Sequence, residues 1–488
     1  MPTRNPVTLD KTQRIIADRL SSIAAALWKE RDKSIPRQAV NFYDYDGSIV
    51  HSFSVYEFTH LDEMPGCPAH EGLTAQGWNW TIAAAKEYVS KYGYLDIGVS
   101  YITEDGNTRL YIDIAETERL TVKINFTQSV ANGVIVNWGD DSQETSEATG
   151  AVAMTHTYAA AGRYIITLTP VDGCNIMLGS DTTAGSALNS VSTNYTKGLI
   201  SGQYVGGREP LIALEIGSGV IALGSGALKF CNRLRTITIP RSVIAIPAWA
   251  LEGCGMLQAC ILPYGLTSIG YYAMRCNYNM KHVSMPETLS SVLDGAFATC
   301  CTLQRAMVPE GIAAITAQMF VRCFSADQII VPDSVQDIGA QAFESCYSLR
   351  AVNIPEGTEI IKTRAFRQCY NLTDVKLPST LKRIAASAFT AVFGIRSLVI
   401  PASVTQIDEF AFLFCDGNEE IHVLATTPPV LTSATAFQAG RPDIKIYVPY
   451  SEDHSILAAY LEATNWCSVE GLTEEPAPVE AAEEEGTT

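Results

Sequence analysis

Seven cysteines, Cys231, Cys254, Cys300, Cys323, Cys346, Cys369 and Cys415, stand 23 residues or twice 23 residues apart. Thiols recurring at a fixed step could form a disulfide ladder, a redox relay or a metal store. Two departures argue against all three. Cys276 falls one place early, and Val392 takes the slot between Cys369 and Cys415. A slot that accepts valine wants a small apolar group, which is how a buried free cysteine behaves. Zinc needs four ligands converging tetrahedrally, and identical positions stacked along one line do not converge. The cysteines therefore read as packing.

Other chemistry-bearing patterns are equally unpromising. The seven histidines, at 51, 60, 70, 156, 282, 422 and 454, form no HExxH and no paired ligand spacing. No GxxxxGK[ST] or GxGxxG phosphate loop is present, and Gly206-Gly207 has no amphipathic helix after it. Asp44 and Asp46 fail the calcium-loop pattern, because Ile49 and Val55 stand where its glycine and bidentate acid belong. Asp140 and Asp141 read as turn residues. No catalytic residue, cofactor or metal site is expected, and the chain reads as a non-enzyme.

Composition narrows the partners. The 488 residues carry a formal charge of -18, and 47% of them are apolar. Nucleic-acid binding needs a basic stripe to displace counterions, so it is not expected. No window reaches the roughly 18 apolar residues of a membrane span, so insertion is not expected either. The start, MPTRNPVTLDKTQRIIADRL, lacks the apolar core of a secretory signal, which points to synthesis in a reducing cytosol.

The elements that must position these residues follow from a second periodicity. Prolines stand at 240, 263, 286, 309, 332, 355, 378 and 401, again 23 apart. Such a step marks a solenoid. The consensus L-x-x-I-x-I-P-x-x-V-x-x-I-x-x-x-A-F-x-x-C reads as a short strand, a second extended piece and a helical turn. About nine copies fit between Leu211 and His422. One copy cannot bury its own apolar residues, whereas stacked copies share a core. These residues resemble the BspA-like (Treponema-type) leucine-rich repeats. That resemblance implies a right-handed solenoid over 211–423, with a carboxy-terminal cap over 424–470 in TTPPVLTSATAF, IKIYVPYSED and Tyr460…Trp466.

Upstream, residues 1–35 read as a helix with Ile16, Leu20, Ile23 and Leu27 on one stripe. It either docks on the next domain or forms a short coiled coil joining copies of the chain. Residues 36–117 read as a small α+β unit, with a hairpin at Asp46-Gly47, a helix over Thr81–Tyr92, and strands LDIGVSYI and TRLYIDI joined at EDGN. Residues 118–171 alternate apolar and polar positions. Their WGDDS (Trp138–Ser142), His156-Thr157-Tyr158 and Gly162-x-Tyr164 resemble the PKD-type immunoglobulin-like domain, with Asp141 where that family commonly has glycine. Residues 172–210 read as a linker or amino-terminal cap, and 471–488 as an acidic disordered tail.

Within each first strand, alternate side chains should point away from the core. The candidate binding face is therefore Thr238, Ile261, His282, Ser284, Arg305, Met307, Gln328, Ile330, Asn353, Asp374, Lys376, Val399 and His422, with Ile261, Met307, Ile330 and Val399 as apolar contact residues. The order of anchor, spacer and array suits a phage virion protein of tail- or head-fibre type. GLTAQGWNWTIAAAKEYVSKYGYLDIG also resembles the amino-terminal region of leucine-rich-repeat proteins encoded in phages of gut Firmicutes. That resemblance implies display on the virion surface, attachment to a host surface protein or glycan, and contact with other virion proteins through the amino-terminal region. A bacterial cell-surface BspA-like adhesin is the alternative.

Overall fold

The computed structural model describes residues 39–114, 120–179, 199–201, 210–415, 420–438 and 444–477. The expected helix over 1–35 and residues 478–488 of the acidic tail lie outside them.

The amino-terminal unit is a four-stranded sheet in the order β2-β1-β4-β3, built from β1 (Val40–Tyr43), β2 (Ile49–Phe53), β3 (Leu73–Trp78) and β4 (Leu95–Thr103). The expected hairpin forms between β1 and β2, with Gly47 at φ +87°. The helix Ile82–Tyr92 begins at Thr81, whose hydroxyl accepts from the Ala84 N–H, and ends at Gly93 at φ +73°. It buries Ala85, Tyr88 and Val89.

The strand TRLYIDI corrects its expected place. β5 (Thr108–Ile114) leaves the α+β unit and pairs antiparallel with β10 (Gly162–Pro170) in the neighbouring sandwich. EDGN therefore joins two sheets instead of closing a hairpin. The alternation of β5 buries Leu110, Ile112 and Ile114 against Trp138 and Ile166, which offers more apolar contact than the already covered edge of β4.

The sandwich also corrects the expected linker. Its first sheet runs from the array strand Thr236–Ile237 through β13 (Leu211–Glu215), β5 and β10 to β7 (Val134–Asn137) and β8 (Gln143–Thr145). Its second pairs β6 (Thr121–Gln128) with β9 (Gly150–Thr157), β11 (Ile176–Leu178) and β12 (Ile200–Ser201), and β11 pairs with β14 (Val220–Leu223). Strands β11 and β12 both come from the segment read as linker. Each sheet thus continues one edge of the solenoid, satisfying backbone groups that its first coil would otherwise expose. One hydrophobic core runs from Leu110 to Trp466.

From residue 234 onward the chain coils as the 23-residue step requires. Short parallel strands stack in two ladders, for example Ala259–Ile261 on His282–Ser284 and Ala314–Ile315 on Asp337–Ile338. Phe297, Phe320, Phe343, Phe366, Phe389, Phe412 and Phe437 stack ring over ring at 5.2–5.9 Å. Two residues per coil adopt left-handed backbone, one column running through Trp249, Tyr272 and Gln318, the other through Phe230, Cys276 and Thr299. Each costs on the order of 1 kcal/mol. Inter-coil bonds such as the Thr299 N–H to the Val321 carbonyl, 2.7 Å, hold them there. Cys276 is early because it occupies this left-handed column.

The cysteine column proper is buried and free of disulfides. The thiols of Cys254, Cys300, Cys323, Cys346, Cys369 and Cys415 donate to carbonyls of the preceding coil at 3.0–3.3 Å. Burial pushes Cys300, Cys323 and Cys346 well above the usual thiol range, which disfavours the nucleophilic and metal-binding thiolate. Asn277 fills the same slot in its coil. It is fully buried, and its amide nitrogen and oxygen have no hydrogen-bond partner among the described residues. Asn277→Cys should therefore stabilise the protein by roughly 1–3 kcal/mol, the cost of an unmade buried polar contact. A urea midpoint unchanged or lowered by the substitution would refute this.

Past His422 the first ladder continues through Glu420–Val423, Lys445–Val448 and Leu472–Glu474. The cap thus adds coils before it closes the core. Leu472–Glu474 also corrects the disordered-tail expectation, because the unpaired edge of Lys445–Val448 recruits them as a strand. Closure itself comes from Trp466, packed on Phe437 and Tyr460.

Candidate binding face of the repeat array

The outward columns divide into two halves. In the second half Asn353, Asp374, Lys376 and Val399 are exposed, Val399 at 49%. His422 is half-buried, with Nδ1 2.5 Å from Glu475 Oε1 and its ring stacked on Tyr447 at 5.0 Å. Adjacent coils set Asn353 beside Lys376, Val399 beside His422, and His422 beside Tyr447. Lys445 and Tyr447 extend the face beyond the columns read from the sequence. The signal was IKIYVP, which repeats the strand-then-proline pattern but 25 residues on instead of 23.

In the first half the expectation of an exposed face is overturned. Thr238, Ile261, His282, Ser284, Arg305, Met307 and Ile330 are all buried, and Gln328 is half-buried. For Thr238 the cover is the first coil, whose Ile216 N–H donates to its hydroxyl at 3.0 Å. For the other six buried residues it is the amino-terminal unit. Ile261 and Ser284 pack under Gly98. Met307 and Ile330 join the apolar cluster of Phe42, Trp80 and Tyr88. His282 lies against the Tyr43 ring at 4.8 Å, and the Arg305 guanidinium sits over Tyr94 at 4.7 Å.

Hydrogen bonds fix the register of this docking. Asn79 Nδ2 donates to the Leu262 carbonyl and to Ser284 Oγ, each at 2.9 Å. Ser284 Oγ donates to the Asp96 carbonyl at 2.9 Å. Trp80 Nε1 donates to the Met285 carbonyl at 2.8 Å, and the Tyr88 hydroxyl to that of Val308 at 2.9 Å. At the rim Lys91 pairs with Glu310 at 2.9 Å. Asp96 is enclosed at the centre, taking the Tyr94 hydroxyl at 2.5 Å and Asn41 Nδ2 at 3.3 Å. Burial lifts its carboxyl to about 6, against the pull of Tyr94 and Arg305.

Ile261, Met307 and Ile330 thus meet a partner within the chain, whereas Val399, the fourth apolar member, stays open. Gly98 makes the contact possible. A Cβ there would lie 2.5 Å from Ile261 Cγ2 and 2.8 Å from its Cδ1. Gly98→Val should cost about 1–3 kcal/mol as overpacking and loosen the docked unit. Hydrogen exchange should then accelerate at Tyr88 and Asp96 while the coils beyond residue 350 stay protected. Adding Ile261→Ala should restore the protection, and unchanged exchange in Gly98→Val would overturn the assignment.

In the sandwich, the Tyr158 hydroxyl donates to the Trp138 carbonyl at 2.8 Å, and Trp138 stacks on His156 at 4.9 Å. Asp140 accepts from Ser142 and faces His156 Nε2 at 2.7 Å, holding the turn, and Asp141 stands at φ +66°. Among the described residues no cluster of three metal-ligating side chains occurs. Among them, too, no helix is long and apolar enough to cross a membrane.

The BspA type leucine-rich repeat region matches residues 206–326 and 313–432. A leucine-rich repeat protein of Bacteroides ovatus is 20% identical over 54% of this chain and 84% of its own, with a TM-score of 0.31. The leucine-rich repeat protein of T. pallidum is 25% identical over 31% and 72%, with a TM-score of 0.29. A leucine rich cell surface protein of Faecalibacterium prausnitzii is 19% identical over 55% and 88%, with a TM-score of 0.28. No curated protein matches the chain. The repeat array over residues 206–432, just under half of the chain, is thus similar to the BspA type leucine-rich repeat region.

Proposed function

We propose that this is a non-catalytic attachment protein whose contact surface is the open half of the strand face, from Asn353 and Asp374 to Lys445 and Tyr447. The carrying observation is the division of that face. Its first half is committed to the amino-terminal unit, and its second half presents a varied row of charged, polar and apolar side chains on stacked strands. A rigid array of this kind binds by many weak contacts, strengthened further where copies are displayed together. The finer reading is a phage virion protein of fibre type, with a PKD-like sandwich behind the array, the amino-terminal region facing other virion proteins, and a host surface protein or glycan as the receptor.

Binding of purified full-length protein to intact cells of a panel of gut Firmicutes, read by flow cytometry, tests the surface. Charge reversal by Asp374→Lys with Lys376→Glu should cut binding at least tenfold, and equal binding would sink the proposed face. Mass spectrometry of purified phage particles tests the location. The BspA-type match favours a second reading, a bacterial cell-surface adhesin. Recovery of the chain from the envelope of uninfected cells, and not from particles, would decide for it.

A further inference from the structure

The sandwich and the first coils meet at a cavity of about 440 Å³, within the roughly 300–1,000 Å³ typical of small-molecule sites. Three arginines line it, Arg163 from β10, Arg233 from the turn before the array, and Arg235 beside the strand Thr236–Ile237. Among the described residues the only acid in the lining is Asp113 of β5. Arg233 spends its guanidinium on that residue, donating to the carboxylate at 2.6 Å and to the Asp113 carbonyl at 2.8 Å. Arg163 lies directly across from Asp113 in the β5–β10 pairing. Among the described residues, no carboxylate pairs with Arg163 or Arg235. Among the described residues, three guanidiniums against one carboxylate leave two positive charges in one concavity of a chain whose formal charge is -18.

The rest of the described lining is Ile212, Ala213 and the exposed Met256, with Thr236 as its one hydroxyl. Guanidinium forks match planar carboxylates and sulfate oxygens in geometry, and the apolar wall suits the C–H face of a sugar ring. We infer that this cavity binds an acidic saccharide, its carboxylate or sulfate held by Arg163 and Arg235 and its ring laid against Ile212 and Met256. Asp113 fixes Arg233 and leaves the other two guanidiniums to the ligand. The site is separate from the open strand face and would stand if that face proved inert.

The test is calorimetric titration of the full chain with three probes: a sulfated disaccharide, a galacturonate oligomer, and the neutral parent disaccharide, with inorganic sulfate alone as a fourth arm. Either acidic saccharide should bind and the neutral one should not, with binding weakening as salt rises. Arg163→Ala with Arg235→Ala should lose at least tenfold, and the exposed Lys382→Ala should lose nothing. Both arginines are exposed, so circular dichroism should find the double variant folded; Arg163→Lys, which keeps the charge but loses the fork, should show an intermediate loss. Equal binding by the double variant, or no binding by either acidic saccharide, would overturn the proposal. Inorganic sulfate binding as tightly as the sulfated sugar would overturn the saccharide class.

Discussion

Glu252→Ala is expected to destabilise the array by about 3–5 kcal/mol, the usual cost of removing one partner from a buried ion pair. Glu252 is 1% exposed and lies between Lys229 of the coil before, at 2.9 Å, and Arg275 of the coil after, at 2.5 Å. All three share one phase of the 23-residue step. Arg275 reaches solvent and can turn outward when the carboxylate is lost. Lys229 cannot, because its side chain is 3% exposed and held between the Phe230 and Trp249 rings. Most of the loss therefore comes from stranding one ammonium group. Replacing both members, Lys229→Met with Glu252→Met, should recover the larger part of it, since an apolar pair of similar volume needs no counter-charge. Urea unfolding followed by hydrogen exchange at the 226–275 coils reads both variants. A loss below about 1 kcal/mol in Glu252→Ala would show that water already reaches Lys229.

Trp466→Ala should cost a similar amount, about 3–5 kcal/mol for a large buried aromatic residue. The loss should also be local. Trp466 packs on Phe437, the last ring of the stacked phenylalanines, at 5.4 Å, and on Tyr460 at 4.8 Å. Its indole N–H donates to the Pro429 carbonyl at 2.7 Å. Without it the terminal coil exposes an apolar edge and an unpaired carbonyl. Because each coil rests on its neighbours, fraying should begin there and move inward. Hydrogen exchange should rise first at 430–448, while 234–350 keeps its protection. A uniform rise along the whole array would contradict the capping role.

Much of the molecule was legible from its repeats. The prolines, the alternating Ile and Val positions and the column of cysteines identified the coil, because a solenoid imposes the same local environment every 23 residues. Val392 did most to make the cysteines read as packing, and the buried thiols donating to carbonyls give that reading its mechanism. The turn at Asp46-Gly47 and the helix after Thr81 were legible for a local reason, a glycine at positive φ and a capping hydroxyl. Where pairing is between distant segments, local pattern was silent. TRLYIDI reads as a strand wherever it is placed, and only the competition between two sheet edges assigns it to the sandwich.

The sequence by itself determined which side chains of the array leave the core, since a pleated strand alternates its faces whatever lies beyond. It could not determine what those side chains would meet. Ile261, Met307 and Ile330 carry the same outward phase as Val399, yet the first three are covered and the last is open. The difference lies in Gly98 and Asn79, more than 160 residues upstream, whose lack of a side chain and paired amide let a separate unit settle on those coils. Burial of a surface depends on the shape and polar matching of two segments at once. That is a property of the tertiary structure, and no periodicity along one of them can contain it.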